Sequence, residues 1–310
     1  MCAIFGVLDY EGKLTTVQKH HLVKNLGTAA EIRGTDATGI AYFQRSKLCI
    51  QKAPKPAHKM RYRIPAEIRY IMGHTRMTTQ GNANRNQNNH PFPGKAGEQE
   101  FALAHNGVLT NDWELRFSEN LPKTNIETDS FVAAQLIEKQ REVSFQSLQK
   151  MAEKVQGSFT FTILDQSNSV YFVKGENPLT IYHYPEFGFY LYASTAEILD
   201  ITLASLKMEK IAYEIIQPQP GTILRIDSQG NQETTSFELD DCSWLPPWDT
   251  LSMYPRKHHG TRNHVTQREY IQAIKAVAVF HGFEAEFIDG LIADGYTTDD
   301  LEDLIYHNRY

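Results

Sequence analysis

Met1-Cys2-Ala3-Ile4-Phe5-Gly6-Val7-Leu8-Asp9 opens the chain, and how this stretch is read decides the fold. A thiol sits directly behind the initiator methionine, at the head of an apolar run. Methionine is commonly trimmed when the second side chain is as small as cysteine. Trimming would leave Cys2 carrying both a thiol and a free α-amine. With unperturbed pKa values of about 8 for the amine and about 8.5 for the thiol, the amine can act as base for its own neighbour's proton. No separate histidine is then required. On position alone, a small apolar residue opening a buried strand is the plainer reading; stretches further along favour the chemical one.

Outward from that start, the composition narrows the class. A chain of 310 residues holds one large domain plus a small one, or two medium ones. The hydrophobic fraction of 41% and charged fraction of 22% suit a globular protein. A formal net charge of −6 supplies no global attraction for nucleic acid or an anionic membrane. Cys2, Cys49 and Cys242 lie too far apart for metal-ligand spacing or a disulfide framework, which predicts a reducing, cytoplasmic setting. Neither a signal peptide nor a membrane span is expected, since no basic-then-apolar leader and no run of 18 apolar residues occurs. The pairs His20-His21 and His258-His259 read as surface histidines, so no metal and no cofactor are expected.

Along the chain, Ala3 to Asp9 reads as a strand and Thr16 to Leu26 as a helix with Val17, Leu22 and Leu26 on one face, ended by Gly27. Arg33-Gly34-Thr35-Asp36-Ala37-Thr38-Gly39 reads by itself as a loop whose glycines suit a tight backbone approach, ahead of a strand over Ile40 to Phe43. Lys47 to Arg69 reads as a solvated basic face. Tyr70 to Gly73 is a buried strand ending at the polar cluster His74-Thr75-Arg76-Met77-Thr78-Thr79-Gln80-Gly81. A polar loop, Asn82 to Asn89, precedes His90-Pro91-Phe92. Phe101 to His105 is a further strand, and Asn106-Gly107 after it reads either as a hairpin turn or as an amide and a backbone N–H converging on one spot as an oxyanion hole. Thr128 or Asp129 is an N-cap for a helix over Phe131 to Arg141.

From Gln156 onward the pattern is mostly paired strands: 158–164 with 170–173, 180–184 with 187–193, then a helix over 196–205 and a last strand ending at Ile226. Two stacked antiparallel sheets with helices outside follow, an α+β class. Residues 238–265, with Trp244-Leu245-Pro246-Pro247-Trp248, read as a linker. Residues 266–310 read as three helices holding nine Asp/Glu and three Lys/Arg, so the acidity of the whole chain is local to this module. So small a module has a marginal core alone, which predicts that it packs on its own chain or on a partner.

Taken as an ordered set, Cys2, Arg33-Gly34-Thr35-Asp36-Ala37-Thr38-Gly39, Arg76 with Thr79, Asn89-His90-Pro91-Phe92, Asn106-Gly107 and Asp129 resemble the class II glutamine amidotransferase domain. This is the N-terminal-nucleophile glutaminase of glucosamine-6-phosphate synthase and amidophosphoribosyltransferase. The resemblance covers residues 2–237 and implies a four-layer αββα sandwich. It implies that Cys2 attacks the side-chain amide of glutamine, with its own α-amine as base, and that Asn106 and Gly107 hold the oxyanion. Arg76 would pair with the substrate α-carboxylate, Thr79 would assist, and Asp129 would bind the α-ammonium. Arg33 would fix the Cys2 end, with His74 and His90 in supporting places, and residues 80–89 would close over glutamine. Ala3, Met77 and Gln80 stand where the family usually has glycine, an aromatic residue and sometimes histidine.

No pyrophosphate-binding Ser-Gly-Gly-x-Asp-Ser, phosphoribosyl-pyrophosphate motif or sugar-isomerase domain is found in this sequence. The expectation is therefore a glutaminase that feeds ammonia to a separate synthase subunit docked by the acidic helices. The other readings are hydrolysis of a different γ-glutamyl amide, or a non-catalytic binding module that retains Met1.

Overall fold

The computed structural model describes residues 2–239 and 285–293. The chain divides into two compact units, Met1–Thr250 and Leu251–Tyr310. Of the second, only the helix Ala285–Ala293 is described, inside the stretch read as the middle helix of the acidic module. The capping box at Thr266, the other two helices and most of the linker lie outside the described residues.

The first unit is built on two antiparallel sheets. The seven-stranded sheet uses β1 (Ala3–Asp9), β2 (Ala37–Gln44), β3 (Lys47–Ala53), β4 (Tyr70–Arg76), β9 (Thr180–Tyr184), β10 (Phe189–Ala193) and β11 (Glu214–Ile216), in the order β11-β9-β10-β1-β4-β2-β3. The six-stranded sheet uses β5 (Phe92–Ala96), β6 (Gln99–Leu109), β7 (Gly157–Asp165), β8 (Val170–Lys174), β12 (Thr222–Ile226) and β13 (Gln232–Ser236), in the order β13-β12-β8-β7-β6-β5. Helices α1 (Thr16–Ala29) and α5 (Ala196–Leu206) go with the first sheet, and α2 (Asp112–Ser118), α3 (Phe131–Gln140) and α4 (Phe145–Ala152) with the second.

The side-chain period of two sorts each strand between two cores. In β1, Ala3, Phe5 and Val7 pack with Leu22, Val23 and Leu26 of α1 and with Ile198 and Leu203 of α5. Ile4 and Leu8 of the same strand meet Ala102, Ala104, Leu164 and Phe172 of the other sheet. On the far side, Phe101 and Leu103 pack under Val132, Leu136, Leu148 and Met151 of α3 and α4. Three apolar layers thus alternate with helices, sheet, sheet and helices. Both central sheets are covered on two faces, which explains strands as uniformly apolar as Ala3–Asp9.

Several local expectations are corrected. Helix α1 does not stop at Gly27 but runs to Ala29. A Cβ on Gly27 would lie 2.7 Å from the Tyr62 hydroxyl, so the glycine marks a close approach rather than a stop. Val17 is 63% exposed, while Lys19 is buried and donates to the carbonyls of Ala66 and Ile68. In the basic stretch from Lys47 to Arg69, whose first residues form β3, Lys47, Lys59, Arg61, Arg63 and Arg69 are exposed as expected, and the departure is Lys52, which donates to the carbonyls of Asn89 and Pro91. Burial pushes the Lys52 ammonium down to about 8. Asn106-Gly107 is no hairpin turn, because β6 continues through both residues, with Asn106 opposite Thr160 and Gly107 opposite Phe159. Strands β3, β5, β11 and β13 and helices α2 and α4 are not among the elements expected from the sequence, although α4 opens on a capping box between Ser144 and Ser147. Among the described residues, no helix is long and apolar enough to cross a membrane.

Candidate active site

Strands β1 and β4 pair antiparallel with Ala3 opposite Thr75, a register that carries Cys2 alongside Arg76. The pleat then decides direction. Tyr70 and Met72 point between the sheets, so His74 and Arg76 on the same strand point there too, as Cys2 does with Ile4 and Leu8. Thr75 points the other way and donates to the Ala30 carbonyl. The first three residues of the polar cluster expected after the strand, His74, Thr75 and Arg76, therefore belong to the strand itself and are buried.

Arg76 is held by oxygen acceptors. Its guanidinium donates to Asn89 Oδ1 at 2.7 Å, to the Gln80 carbonyl, and to the Gly81 carbonyl at 3.3 Å. The backbone that follows it is braced by the Arg33–Gly39 segment. Asp36 N–H donates to the Arg76 carbonyl, and Thr78 N–H donates to the Asp36 carboxylate. A Cβ on Gly34 would sit 2.5 Å from the Arg76 backbone, and one on Gly39 would sit 2.2 Å from the His90 carbonyl. The segment that reads alone as an ordinary loop is thus fitted against two parts of the site.

Arg33 joins two of the expected catalytic residues. Its Nε donates to the Cys2 carbonyl at 2.8 Å and its Nη2 to Asn106 Oδ1 at 3.4 Å. That bond orients the Asn106 amide, and its buried Nδ2 has no hydrogen-bond partner among the described residues. The Asn106 carbonyl accepts from Asn177 Nδ2 at 2.8 Å. Gly107 has φ +149°, and a Cβ there would lie 2.0 Å from the Ser158 carbonyl, so only glycine keeps β6 in place.

Asp129 is 4% exposed. Its Oδ2 accepts from Leu109 N–H at 2.6 Å and its Oδ1 from the Ser130 hydroxyl at 3.3 Å. The cap reading fails here: the N-cap of α3 is Ser130, and no side chain caps it. Burial pushes the Asp129 carboxyl up, opposed by the Leu109 hydrogen bond. Burial likewise pushes the Cys2 thiol up, so it is protonated at neutral pH and needs a base before it can attack. In place, its Sγ donates to the Met77 carbonyl at 3.4 Å.

Three buried histidines lie together at this end of the inter-sheet layer. His74 Nε2 meets the His105 carbonyl at 2.9 Å, its ring lies 4.2 Å from that of His90, and His90 packs on Phe92 at 4.3 Å. Burial drives His74 and His105 down to about 3 and His90 well below its usual range, so all three are neutral imidazoles at pH 7.

Cys2, Arg76, Thr79, His90, Gly107 and Asp129 line one narrow cleft, together with Met77, Gln80, His105, Thr128 and Ser130. Arg33, Asn106 and His74 are tied to that group from behind rather than lining it. Sequence reasoning passed over His105 and Ser130 as site residues, along with Asn89, which holds Arg76, and Asn177, which holds Asn106. A polar residue inside an apolar strand was the available signal for His105. Asn177 carries none, since it follows β8 and reaches Asn106 only because β7 pairs with β8 on one side and β6 on the other. Among the described residues no group of three or more His, Cys, Asp or Glu could hold a metal ion.

Comparison with known proteins bears on the family. A family model described as a glutamine amidotransferase domain matches residues 74–200. The chain is 29% identical over 292 residues to glutamine–fructose-6-phosphate aminotransferase (isomerizing) of Aquifex aeolicus, covering 89% of this chain and 44% of that protein. It is 30% identical over 245 residues to the enzyme of that name from Staphylococcus aureus, covering 74% of this chain and 38% of that protein. The chain spans about two fifths of the length of these curated relatives. Among solved structures, glutamine phosphoribosylpyrophosphate amidotransferase from B. subtilis superposes with a TM-score of 0.59 at 18% identity, over 77% of this chain and 50% of that one, a likeness of fold. By these matches the chain belongs to the class II glutamine amidotransferase family, related to glutamine–fructose-6-phosphate aminotransferase and to phosphoribosylpyrophosphate amidotransferase.

Proposed function

We propose that this chain is a glutaminase of the N-terminal-nucleophile type, with Cys2 attacking the side-chain amide of glutamine once Met1 has been removed. One observation carries the reading: a single cleft holds the Cys2 thiol with a buried cation, Arg76, and a buried anion, Asp129. A zwitterionic amino acid needs one charge of each sign, and a guanidinium fork matches its carboxylate. Arg76 and Thr79 take the α-carboxylate and Asp129 the α-ammonium, which leaves the side-chain amide to reach the thiol.

The Cys2 α-amine accepts the thiol proton and Sγ bonds to the amide carbon. The oxyanion is held by Asn106 Nδ2, a buried donor with no other hydrogen-bond partner among the described residues, and by Gly107 N–H. Collapse of the tetrahedral species expels ammonia, protonated by the same amine, and leaves a thioester. Water then adds, releasing glutamate and restoring the thiol. Arg33 positions the nucleophile against the oxyanion donor by binding both residues. Residues 2–237 form this glutaminase domain, and the ammonia passes to a separate acceptor chain.

Intact mass before and after treatment with 6-diazo-5-oxo-norleucine tests the nucleophile. Loss of the methionine mass and one adduct mapped to Cys2, absent in Cys2→Ala, is the expected result. A retained Met1 with no adduct would overturn the mechanism. For the acceptor, affinity purification of the full chain is expected to recover a synthase subunit. Unchanged glutaminase activity on deleting residues 266–310, with no partner recovered, would count against that part.

A further inference from the structure

We propose that Ser130, backed by His105, is a positioning residue that orients the Asp129 carboxylate and thereby sets the preference for an amino acid over its deaminated analogue. The proposal rests on the glutamine reading of the cleft and deepens it, since neither residue carries a role in that reaction so far.

The helix start is the first clue. Serine at an N-cap ordinarily accepts from a backbone N–H two or three residues on. Ser130 is the N-cap of α3, yet its hydroxyl makes no capping bond. It turns instead to Asp129 Oδ1, which accepts from it at 3.3 Å, and to His105 Nδ1 at 2.8 Å. All three residues are buried, at 4% exposure or less.

A hydroxyl has one proton and two lone pairs. If the proton goes to the carboxylate, the oxygen can only accept from His105, so Nδ1 must carry the ring hydrogen. The imidazole is kept neutral by burial and so has a single N–H, for which the Ser158 carbonyl competes as acceptor on the Nε2 side. Its ring is stacked on Phe161 with centroids 4.5 Å apart, which sets the direction of that N–H. Leu109 N–H meanwhile holds Asp129 Oδ2 at 2.6 Å. Leu109 and His105 both belong to β6, so one strand fixes both carboxylate oxygens, one directly and one through Ser130. Each oxygen keeps a lone pair for the ligand ammonium. The same strand carries Asn106 and Gly107, so the ammonium site and the oxyanion donors share one rigid element.

The test compares L-glutamine with glutaramate, the same molecule without its α-amine, in the full chain and its Ser130 variants. Ser130→Ala should raise KM for glutamine about tenfold, the scale of one hydrogen bond to a charged group, with kcat within about twofold. Activity toward glutaramate should stay unchanged, so discrimination falls by the same factor, and Ser130→Thr should restore it. Ser130→Cys, which keeps the shape with a weaker donor, serves if the alanine variant does not fold. Equal losses on both substrates, or no loss on either, would overturn the proposal. Calorimetric binding of L-glutamine to Cys2→Ala, with and without Ser130→Ala, reads the same contact without turnover. About tenfold weaker binding is expected, and equal affinity would overturn the positioning role. If the unmutated chain releases no ammonia, the glutaminase reading fails separately, while the binding comparison still decides on Ser130.

Discussion

Asn106 combines two tasks in one side chain. Its Oδ1 is fixed by Arg33, which leaves Nδ2 as a buried donor with no hydrogen-bond partner among the described residues. Leaving such a donor unpaired costs about 1–3 kcal/mol, so an oxyanion arriving there gains a group already stripped of water. Asn106→Ala should therefore lower kcat by about 100- to 1,000-fold while KM for glutamine moves little, as expected for a contact made mainly in the transition state. Steady-state assay of ammonia release decides this. A kcat within about threefold of the parent would remove Asn106 from the oxyanion role.

At the scale of elements, the 80–89 segment and the segment between α2 and α3 are locked together through Glu127. Its carboxylate accepts from Asn82 N–H, from Asn88 Nδ2 at 2.8 Å and from Arg85, while its own N–H donates to Asn88 Oδ1 at 2.9 Å. The loop bound in this way supplies the Gln80, Gly81 and Asn89 oxygens that hold Arg76, and Asp129 lies two residues beyond Glu127. Glu127 thus couples the place of the cation to the place of the anion. Glu127→Ala should raise KM for glutamine about tenfold and speed proteolytic cleavage within 80–89, with the fold retained by circular dichroism. Unchanged KM and an unchanged cleavage rate would show that the loop is held by other contacts. By composition this segment is a polar loop, and only the family resemblance gives it a place over the substrate. Nothing in its composition marks Asn88 and Asn89 as buried, because it is contact with Glu127 and Arg76, outside the loop, that fixes them.

For the molecule as a whole, packing two sheets face to face with polar residues at one end of the shared layer has a cost in acid. His74 and His105 are held neutral by burial, and Arg76 adds to this at His74 as a nearby cation. Both imidazoles fall to about 3 in the folded chain, from about 6.5 when exposed. Between those values the unfolded chain binds protons that the folded chain refuses. Stability is therefore full above about pH 6.5 and declines as pH falls, by up to about 1.4 kcal/mol per pH unit for each histidine. Urea midpoints measured at pH 7.5, 6.5 and 5.5 should drop between the last two. A flat midpoint across that range would mean that the histidines reach solvent or gain acid partners.

What the sequence determined by itself was the set of elements with strong local period and the family to which the chain belongs. The runs 3–8 and 101–104 read as buried strands because side chains on both faces lack a polar group to meet water. The motifs around Cys2, Arg76, Asn106-Gly107 and Asp129 named the family. Local pattern failed where a residue's state depends on its neighbour in space. Asn106-Gly107 has the composition of a turn, yet β7 alongside keeps it in a strand. Ser130 has the composition of a cap, yet its hydroxyl belongs to Asp129 and His105. Lys52 has the charge of a surface residue, yet two backbone carbonyls hold it inside. Those outcomes belong to tertiary structure, because a hydrogen bond between residues far apart in the chain leaves no period in the sequence and is settled only when strand register brings donor and acceptor together.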